Sequence, residues 1–504
     1  MCTLSNIKKK SVDMPGNKEA FFEQAHEREF TYFGYNDLQL RTEVMSQIDA
    51  NDIDITGQVS THYELRVPIL GAMMNCISED DMAKAMGEVG AGAFIHHANT
   101  PDEQLELVKS VYDHLNGIIP EPFVAMEDDT IEQVLHVLDK NNKKFKTLPV
   151  INSEGVCVGL LNKACLRLFD AHTQISEAML PFGQFETASS DTTPEQAYEK
   201  MRDKRLDVLV LLDQSRRIGG LCLVKDIVRM RNSNPEEYSL TDEGRLITFA
   251  SVPTIPEEAV ERTRLMSKYI NVIGIDTSHG EHKHAVDTLI ALKEAFPFKT
   301  FGIDFVAGNI STKETAEEIA KLEPDGMQVG QGPGQICISS DRLGFGTPQA
   351  SAVYEVARSA RLINPNMPII ADGGISDSAD TVKAFALGAT AVKVGGLIAA
   401  TDETPVPAIR DENGTLCKEY WGMGSARAQQ AFAAARARYG HFGPPRDTIF
   451  AEGIEKRIPL RGPVAKIINE HILGVRISMA AQGARNIYEL AENASLMRGS
   501  NNKN

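Results

Sequence analysis

Residues 369–374 read Ile-Ile-Ala-Asp-Gly-Gly, and residues 391–396 read Ala-Val-Lys-Val-Gly-Gly. Each stretch is a short, largely apolar run that ends in a pair of glycines, and residues 380–387 between them have a helical pattern. Continuous hydrophobicity is typical of strands that are buried on both faces of a parallel sheet. The two stretches therefore predict neighbouring parallel strands that are joined by a helix.

The same kind of run recurs along the chain, and most runs are followed by a helical segment such as residues 313–321. The runs lie at residues 67–72, 91–95, 246–250, 272–276, 305–309, 327–330, 369–373 and 391–395. Eight strand–helix units predict an α/β protein with a (β/α)8 TIM barrel. Active sites of such barrels are built from the loops at the carboxyl ends of the strands.

The gap between the second and third runs is too long for a single crossover helix, and it contains an internal repeat. Residues 147–161 and residues 208–222 each read as strand, turn and strand, and an amphipathic stretch precedes each of them. We therefore predict that residues 1–116 and 234–504 form the catalytic barrel and that residues 117–233 are an inserted domain.

The two halves of this insert resemble a tandem pair of cystathionine-β-synthase (CBS) domains, a Bateman module. The resemblance implies a regulatory adenine or guanine nucleotide, which that family holds with a hydroxyl residue and an Asp at the second strand–helix turn. The second repeat has Asp226 but carries Leu223 at the hydroxyl position, and the first repeat has Asn162 and Cys165 at the corresponding places. We expect one intact nucleotide site at most, and the alternative is a generic α/β module.

Composition excludes several classes of protein. The 504 residues are 42% hydrophobic and 24% charged, as in ordinary globular proteins. A net charge of −17 makes the chain a poor clamp for a phosphate backbone, so we predict no nucleic-acid partner. No apolar run approaches the roughly 18 residues of a membrane helix, which predicts no membrane partner. Seven scattered cysteines without a C-x-x-C pair argue against a disulfide scaffold and a zinc ribbon, and we predict a cytoplasmic protein.

Two features predict chemistry at the carboxyl ends of the last three strands. Residues 330–337 read Gly-Gln-Gly-Pro-Gly-Gln-Ile-Cys, and glycines allow such a loop to approach a ligand closely. A cysteine at the end of this loop can act as a nucleophile once ionised, so we predict that Cys337 is catalytic and that the other cysteines are buried hydrophobes. The glycine pairs at residues 373–374 and 395–396 predict a phosphate site formed by backbone N–H groups.

Together these motifs resemble those of the IMP dehydrogenase and GMP reductase family, in which Gly-x-Gly-Pro-Gly-x-x-Cys is the loop of the catalytic cysteine. Further matching stretches are residues 35–37, 276–280, 307–309, 395–396, 419–425, 452–454 and 462–464. The similarity extends from about residue 30 to residue 490 and includes the position of the CBS insert.

The resemblance implies that Cys337 attacks C2 of the purine of a nucleoside monophosphate and that hydride passes from C2 to the nicotinamide of NAD. The implied catalytic residues are Cys337, Ser339, Arg438 and Tyr439. The implied contacts are Asp372 for the ribose, Gln335, Gly374, Gly395, Gly396 and Tyr420 for the phosphate, and Met423, Gly424 and Glu452 for the purine. Asp276 and Ser278 would contact the cofactor, Asn309 both ligands, and the carbonyls of Gly332, Gly334 and Cys337 a potassium ion (K+).

The chain departs from the family pattern at several hydroxyl-bearing positions. Gln335 stands where the family usually has a serine that binds phosphate, and Gly396 stands where dehydrogenases often have another. Gly71 replaces a serine in the loop after the first strand, Asn75 replaces an Asp, and Ser339 replaces a Thr but keeps the hydroxyl.

The two activities of the family differ in how the covalent intermediate is resolved. The dehydrogenase hydrolyses its thioimidate with an Arg-Tyr pair on a mobile flap, and Arg438 and Tyr439 lie where that flap is expected. The reductase usually has Ser-Ser-Glu after Tyr-Gly-Met, whereas this chain has Gly424-Ser425-Ala426. We therefore predict oxidation of IMP to XMP with NAD, in guanine nucleotide biosynthesis, by a homotetramer. The alternatives are NADPH-dependent deamination of GMP to IMP and a catalytically silent nucleotide-binding or assembly protein.

Overall fold

The chain forms two units, which are seen in a computed structural model. The structure describes residues 18–28, 31–42, 46–140, 147–232, 234, 236–432, 436 and 449–499. The barrel unit consists of the described residues within Met1–Val111, Glu236–Ser239 and Ile247–Asn504, and the second unit of those within Tyr112–Pro235 and Leu240–Leu246. Arg438 and Tyr439, the predicted flap pair, lie outside the described residues.

Eight parallel strands close into a barrel, as the apolar runs predict. They are β1 (Ile69–Gly71), β2 (Gly92–Ile95), β3 (Phe249–Val252), β4 (Val272–Ile275), β5 (Asp304–Ile310), β6 (Gly326–Val329), β7 (Ile369–Asp372) and β8 (Ala391–Val394). Each strand pairs in parallel with the next, and β8 closes the barrel on β1. Every residue of these strands is buried except Asp372 at the carboxyl end of β7.

Helices connect consecutive strands around the barrel. They are α1 (Asp80–Gly87), α2 (Pro101–Tyr112), α3 (Pro256–Met266), α4 (Lys283–Ala295), α5 (Lys313–Ala320), α6 (Ser339–Leu343), α7 (Gln349–Ile363) and α8 (Ser378–Ala386). Local chemistry sets several of their starts. The Asp377 side chain accepts the N–H groups of Ala379 and Asp380 at the start of α8, and Pro256 occupies the first turn of α3. The alternation leaves the strand-to-helix loops at the carboxyl ends of the strands.

The barrel core is an apolar cluster contributed by most of the strands and by the segments before β1 and β3. Its buried members are Val59, Leu65, Leu70, Met73, Phe94, Ile247, Phe249, Val272, Val306, Ile370 and Ala391. Phe94 and Phe249 meet edge to face, with ring centroids 5.3 Å apart. Burial of these side chains stabilises the barrel and fixes the strand ends from which the functional loops start.

Further elements surround the barrel. An antiparallel sheet of β9 (Ile409–Arg410), β10 (Leu416–Trp421) and β11 (Glu455–Pro459) follows β8, and it brings Tyr420 opposite Lys456. The helices α9 (Ala426–Ala431), α10 (Val464–Ala481) and α11 (Ile487–Asn493) lie in the C-terminal part. Two short antiparallel pairs join Leu38–Arg41 to Ser495–Arg498 and Gly57–Gln58 to Glu64–Leu65, and short helices span Lys18–Phe22 and Phe298–Phe301.

The second unit contains two similar halves. The first has helix Ile131–Lys140, the hairpin Leu148–Ile151 and Cys157–Leu161, and short helices Cys165–Leu168 and Ile175–Ala178, with Ala125–Met126 and Leu180–Pro181 as edge strands. The second has helix Pro194–Lys204, the hairpin Val208–Leu212 and Ile218–Leu223, and helix Val224–Asn232, with Thr187–Ser189 and Ile118–Ile119 as edge strands. Within the described ranges, none of the helices combines the length and apolar character needed to cross a membrane.

Candidate active site

A cleft of about 810 Å³ opens at the carboxyl ends of the barrel strands. Its walls come from the loops after β1, β5, β6, β7 and β8 and from the segments around Tyr420 and Glu452. All of the predicted substrate contacts line this cleft together with Cys337: Asn309, Gln335, Asp372, Gly374, Gly395, Gly396, Tyr420, Met423, Gly424 and Glu452. The loops therefore bring residues that are far apart in the sequence into one concave surface.

A second, smaller cleft of about 410 Å³ adjoins the first. Its own lining includes Ser278, His279, Gln331, Ser339 and Phe345. The two clefts share a wall, which consists of Asn309, Gly330, Gly332, Cys337 and Glu452. Two ligands bound side by side would therefore meet at Cys337.

Cys337 is the partly exposed thiol among the described cysteines, since Cys76, Cys157, Cys165, Cys222 and Cys417 are buried. Burial raises the pKa of the Cys76 and Cys222 thiols to about 12, so these two remain protonated at neutral pH. The Sγ atom of Cys337 lies 3.4 Å from Ser339 Oγ, within hydrogen-bonding reach of a hydroxyl. Exposure and this hydroxyl make Cys337 the chemically accessible nucleophile.

Glycines in the loop after β6 are required by close packing. Gly330 and Gly332 both have positive φ, at 142° and 84°. A Cβ at Gly330 would overlap the Asp372 carbonyl, and one at Gly332 would overlap the Ser340 side chain. Positions 330 and 332 must therefore be glycine for the loop to pack against β7 and α6. This packing holds Cys337 at the junction of the clefts.

The predicted phosphate contacts gather at one end of the first cleft. Gly374 has a φ of 76°, and a Cβ at Gly395 would lie 2.8 Å from the Tyr420 hydroxyl. Burial raises the pKa of Tyr420, which keeps its hydroxyl protonated and able to donate a hydrogen bond. Backbone N–H groups beside small residues, with a hydroxyl donor opposite, suit a phosphate group.

Gln335 and Gly396, the two departures from the family pattern at this end, are in direct contact. A Cβ built on Gly396 would lie 2.5 Å from Gln335 Oε1, so the amide occupies the space that a side chain at 396 would need. The amide Nε2 donates to Ser376 Oγ at 3.1 Å. Gln335 thus reaches from the cysteine loop to the loops after β7 and β8, and the two departures fit together.

Side chains form a hydrogen-bonded network in the wall of the first cleft. Asp372 Oδ2 accepts a hydrogen bond from Asn309 Nδ2 at 2.7 Å and pairs with Lys393 Nζ at 2.8 Å. Asn309 Nδ2 also donates to the Gly330 carbonyl at 2.9 Å. The network places a carboxylate within the cleft, where it can accept hydrogen bonds from hydroxyl groups.

The residues predicted at the purine end are held by backbone pairing. The Glu452 N–H donates to the Gly424 carbonyl, and the Glu452 carbonyl accepts the Ile338 N–H, both at 2.9 Å. Gln429 Nε2 also donates to the Gly424 carbonyl, at 2.9 Å. The segment around Glu452 is therefore tied to the loop that carries Cys337.

The predicted cofactor and cation residues differ in where they lie. Ser278 lines the second cleft, but Asp276 is 4% exposed, sits 3.7 Å from His97 Nδ1 and lines neither cleft described here. Gly332 and Gly334 line the first cleft, and the Gly334 carbonyl accepts the Cys337 N–H at 3.1 Å. The expected contact of Asp276 with the nicotinamide ribose stays a prediction.

Sequence reasoning missed Lys393 and Gln328. Both lie within largely apolar strand runs, yet both side chains are buried polar groups that contact each other beneath the cleft. The signal was present in the sequence, because a lysine in the middle of an otherwise apolar buried strand needs a buried partner. Phe345 lines the second cleft and is 42% exposed, and no pattern in the sequence predicts this position.

Comparison with known proteins agrees with this geometry. The family model "IMP dehydrogenase / GMP reductase domain" matches residues 32–503. The chain is 34% identical to inosine-5'-monophosphate dehydrogenase of Aquifex aeolicus over 458 residues, which are 90% of each chain. It is 32% identical to the Thermoplasma acidophilum protein of the same name over 471 residues, which cover 93% of this chain and 92% of that one.

Solved structures with the same architecture include GMP reductase from Trypanosoma brucei in complex with guanosine 5'-monophosphate. That structure aligns with a TM-score of 0.76 and 27% identity, and the alignment covers 94% of this chain and 96% of that one. The same enzyme in complex with guanosine 5'-triphosphate aligns with a TM-score of 0.71 and 25% identity, over 93% of this chain and 98% of that one. With its closed barrel, its cysteine loop and a family match over nearly its whole length, the chain belongs to the IMP dehydrogenase and GMP reductase family.

Proposed function

We propose that the protein oxidises IMP to XMP with NAD+ as hydride acceptor, through a covalent intermediate on Cys337. The observation that carries the proposal is the partly exposed Cys337 thiol on the wall that the two clefts share. A nucleophile at this point reaches a purine in the first cleft while a nicotinamide lies in the second. Side-by-side binding of this kind is what hydride transfer between two ligands requires.

The proposed chemistry begins with the Cys337 thiolate, which attacks C2 of IMP and forms a C2–S bond. The C2–H bond then breaks as hydride leaves for the nicotinamide, which leaves a thioimidate on the enzyme. Water adds to C2, the C2–S bond breaks, and XMP, one proton and the thiolate are released. Ser339 Oγ, 3.4 Å from Sγ, supports the thiolate by donating a hydrogen bond. Arg438 and Tyr439 are proposed to activate the water.

The proposed substrate contacts divide the first cleft into three parts. Backbone N–H groups of Gly374, Gly395 and Gly396, with the Tyr420 hydroxyl and the Gln335 amide, would hold the phosphate. Asp372 and Asn309 would hold the ribose. Met423, Gly424 and Glu452 would hold the purine, with C2 towards Cys337. Their common lining of one cleft supports this division.

The second cleft is the proposed place for NAD+, which supplies the hydride acceptor when bound. The exposed face of Phe345 offers a flat apolar surface for an aromatic ring, and Ser278 and Gln331 offer polar groups beside it. These residues fit a nicotinamide nucleotide. K+ is proposed at the carbonyls of Gly332, Gly334 and Cys337, since carbonyl oxygens on one loop suit a hard cation.

The test is one assay in two directions with the purified full-length protein. With IMP and NAD+, NADH absorbance should appear, and omission of either compound should abolish it. With GMP and NADPH, absorbance should stay constant. Repeating the first reaction with K+ replaced by Na+ tests the cation, and a lower rate is expected.

GMP reduction with NADPH is the second candidate. It is favoured by the likeness to Trypanosoma brucei GMP reductase over 94% of this chain. Both reactions pass through a thioimidate between the cysteine and C2. Loss of hydride forms it in IMP oxidation, whereas gain of hydride consumes it in GMP reduction. Loss of NADPH in the presence of GMP, with no oxidation of IMP, would establish the reductase. Absence of turnover in both assays would support the alternative of a catalytically silent nucleotide-binding or assembly protein.

We propose that the second unit contains the CBS insert, residues 117–233, and that the insert binds a regulatory adenine or guanine nucleotide at one site at most. In the first half, Asn162 Oδ1 accepts the N–H groups of Ala164 and Cys165, so this amide caps the short helix. In the second half, Asp226 pairs with Arg229 at 3.2 Å. Calorimetric titration of ATP and GTP tests the proposal, with Asp226→Ala as the control expected to abolish binding. A cytoplasmic homotetramer is proposed as the assembly.

A further inference from the structure

Lys393 is a buried cation beneath the first cleft. It lies on β8, is 3% exposed, and its side chain forms part of the cleft wall. A charged ammonium is costly to remove from water unless other groups bind it. Its partners therefore indicate why an otherwise apolar strand contains a lysine.

Three groups surround the Lys393 ammonium. Nζ pairs with Asp372 Oδ2 at 2.8 Å, bonds to Gln328 Oε1, and lies 5.6 Å from the centroid of the Phe94 ring. Asp372 and Lys393 are partners in the register of β7 and β8, so their side chains leave the sheet on the same side. The lysine is thus held by its strand position against one carboxylate.

The contacts of Asp372 are unequal between its two oxygens. Asn309 Nδ2 and Lys393 Nζ both bind Oδ2, at 2.7 Å and 2.8 Å. Oδ1 is then the oxygen that a ligand in the cleft can use. A carboxylate with one oxygen fixed by two donors has a defined orientation, and its other oxygen remains a hydrogen-bond acceptor.

We propose that Lys393 is a positioning residue that holds the Asp372 carboxylate in one orientation, so that Oδ1 accepts the ribose hydroxyls of a purine ribonucleotide. This inference rests on the proposed function, which assigns the first cleft to such a nucleotide. Lys393 acts through Asp372 and has no part in the chemistry at C2. It therefore determines how strongly the site selects a ribose over a sugar that lacks a hydroxyl.

The test compares three ligands on the full-length protein: IMP, 2'-deoxy-IMP and 3'-deoxy-IMP. Dissociation constants are measured by calorimetry for the wild type, Lys393→Met and Asp372→Asn. The wild type should bind IMP about 10- to 100-fold more tightly than at least one deoxy analogue, as expected for a hydrogen bond to a charged group. Lys393→Met should lose most of this preference while binding that analogue as the wild type does. A merely structural role would instead weaken all three ligands in parallel, and that result would overturn the inference.

A reciprocal exchange separates the charge from the position. Because Nζ of Lys393 contacts the end of Gln328, the double variant Gln328→Lys, Lys393→Gln carries its ammonium on β6 close to the same carboxylate. Preference for IMP should return to within a few-fold of the wild type. Failure of a folded double variant to regain the preference would overturn the role of the charge. Because the double variant keeps one buried cation, it also serves if Lys393→Met does not fold, as judged by circular dichroism and thermal melting.

Because the test measures binding and not turnover, failure of this inference can be distinguished from failure of the proposed function. If the wild type binds GMP and not IMP, the same comparison is made with GMP and its deoxy analogues. If Lys393→Met keeps the wild-type preference for IMP over the deoxy analogues, only the proposed role of Lys393 is overturned. A wild type that binds no purine nucleotide overturns the proposed function, and the inference falls with it.

Discussion

Strand β5 has a polar network at each end, and the two networks are completed in different ways. At its amino end, Asp304 is fully buried, and its two oxygens contact the His62 ring at 2.7 Å and the His62 N–H at 2.9 Å. At its carboxyl end, Asn309 joins Asp372, whose Oδ1 has no protein partner among the described residues. Both oxygens of Asp304 are thus used within the protein, whereas one oxygen of Asp372 is left for a ligand.

This contrast between the two ends of β5 indicates which substitutions affect stability and which affect activity. The network at the amino end contributes to folding, because both oxygens of Asp304 are hydrogen-bonded within the protein. A network that is open towards a cleft contributes its remaining group to binding. Substitutions at the amino end of β5 should therefore change the free energy of unfolding, and those at the carboxyl end should change catalysis and ligand affinity.

The largest effect is expected from Cys337→Ala, in the loop that follows the carboxyl end of β6. Turnover should fall by about 10⁴-fold or more, because a methyl group cannot form the covalent bond, while IMP affinity and the melting temperature change little. Mass spectrometry of quenched wild type should show a purine adduct on Cys337. Cys417→Ala, at a buried cysteine outside the clefts, is the control and should retain activity. Turnover by the Cys337→Ala protein would contradict the assignment.

Gly396→Ser tests the phosphate end of the same cleft. A Cβ there would lie 2.5 Å from Gln335 Oε1, so the amide must move, and IMP affinity should fall by about 10-fold. Adding Gln335→Ser to this variant removes the obstruction and should recover most of the loss, whereas Gln335→Ser alone should not match the wild type. Calorimetry on the three variants measures the coupling. Additive losses in the double variant would show that the two positions act independently.

Asp325→Asn tests the amino end of the barrel. Burial and the neighbouring Asp304 raise the pKa of Asp325 to about 6, from an unfolded value near 3.9. The stability that protonated Asp325 contributes is therefore present below about pH 4 and is lost as pH rises through about 6. Relative to the wild type, Asp325→Asn should gain about 2 kcal/mol in the free energy of unfolding between pH 4 and pH 7. Urea melts at both pH values measure this gain, and kcat/KM should stay unchanged. A difference that is independent of pH would contradict the assignment.

Tyr420→Phe should have the smallest effect, a loss of about 10-fold or less in IMP affinity, because one hydrogen bond is removed. Burial raises the pKa of Tyr420, so the hydroxyl remains a donor at pH 10, where an exposed tyrosine would be half ionised. The ratio of the two dissociation constants should therefore be the same at pH 8 and pH 10. Convergence of the two proteins at pH 10 would show that Tyr420 ionises normally.

The barrel could be predicted from the sequence because most residues of its strands are apolar. The prediction was least accurate at the third strand, which begins at Phe249 and continues through Ser251 to Val252. Ser251 lies just beyond the predicted run of residues 246–250, yet it is fully buried, and its hydroxyl bonds to the Ile95 carbonyl and to His97. A polar residue whose partner lies on a neighbouring strand cannot be recognised from local pattern alone.

The candidate site shows the same limit. The glycine-rich loop and Cys337 could be identified because they form one continuous motif, and the family resemblance added residues that the fold gathers into one cleft. The contact between Gln335 and Gly396 and the pairing of Lys393 with Asp372 could not be predicted. Both depend on which loops and strands are adjacent in space, and that adjacency is not encoded in the spacing along the chain.

The contact of Gln335 with Gly396 also constrains the order in which these positions can mutate. With Gln335 present, a serine at 396 would overlap the amide oxygen, so that substitution lowers the affinity unless residue 335 has first become smaller. Starting from a serine at both positions, the change at 396 to glycine likewise makes room for glutamine at 335. The path that avoids this overlap passes in both directions through the same intermediate, which has a serine at position 335 and keeps Gly396. Exchange of the present pair for two serines therefore depends on how well that intermediate binds the nucleotide.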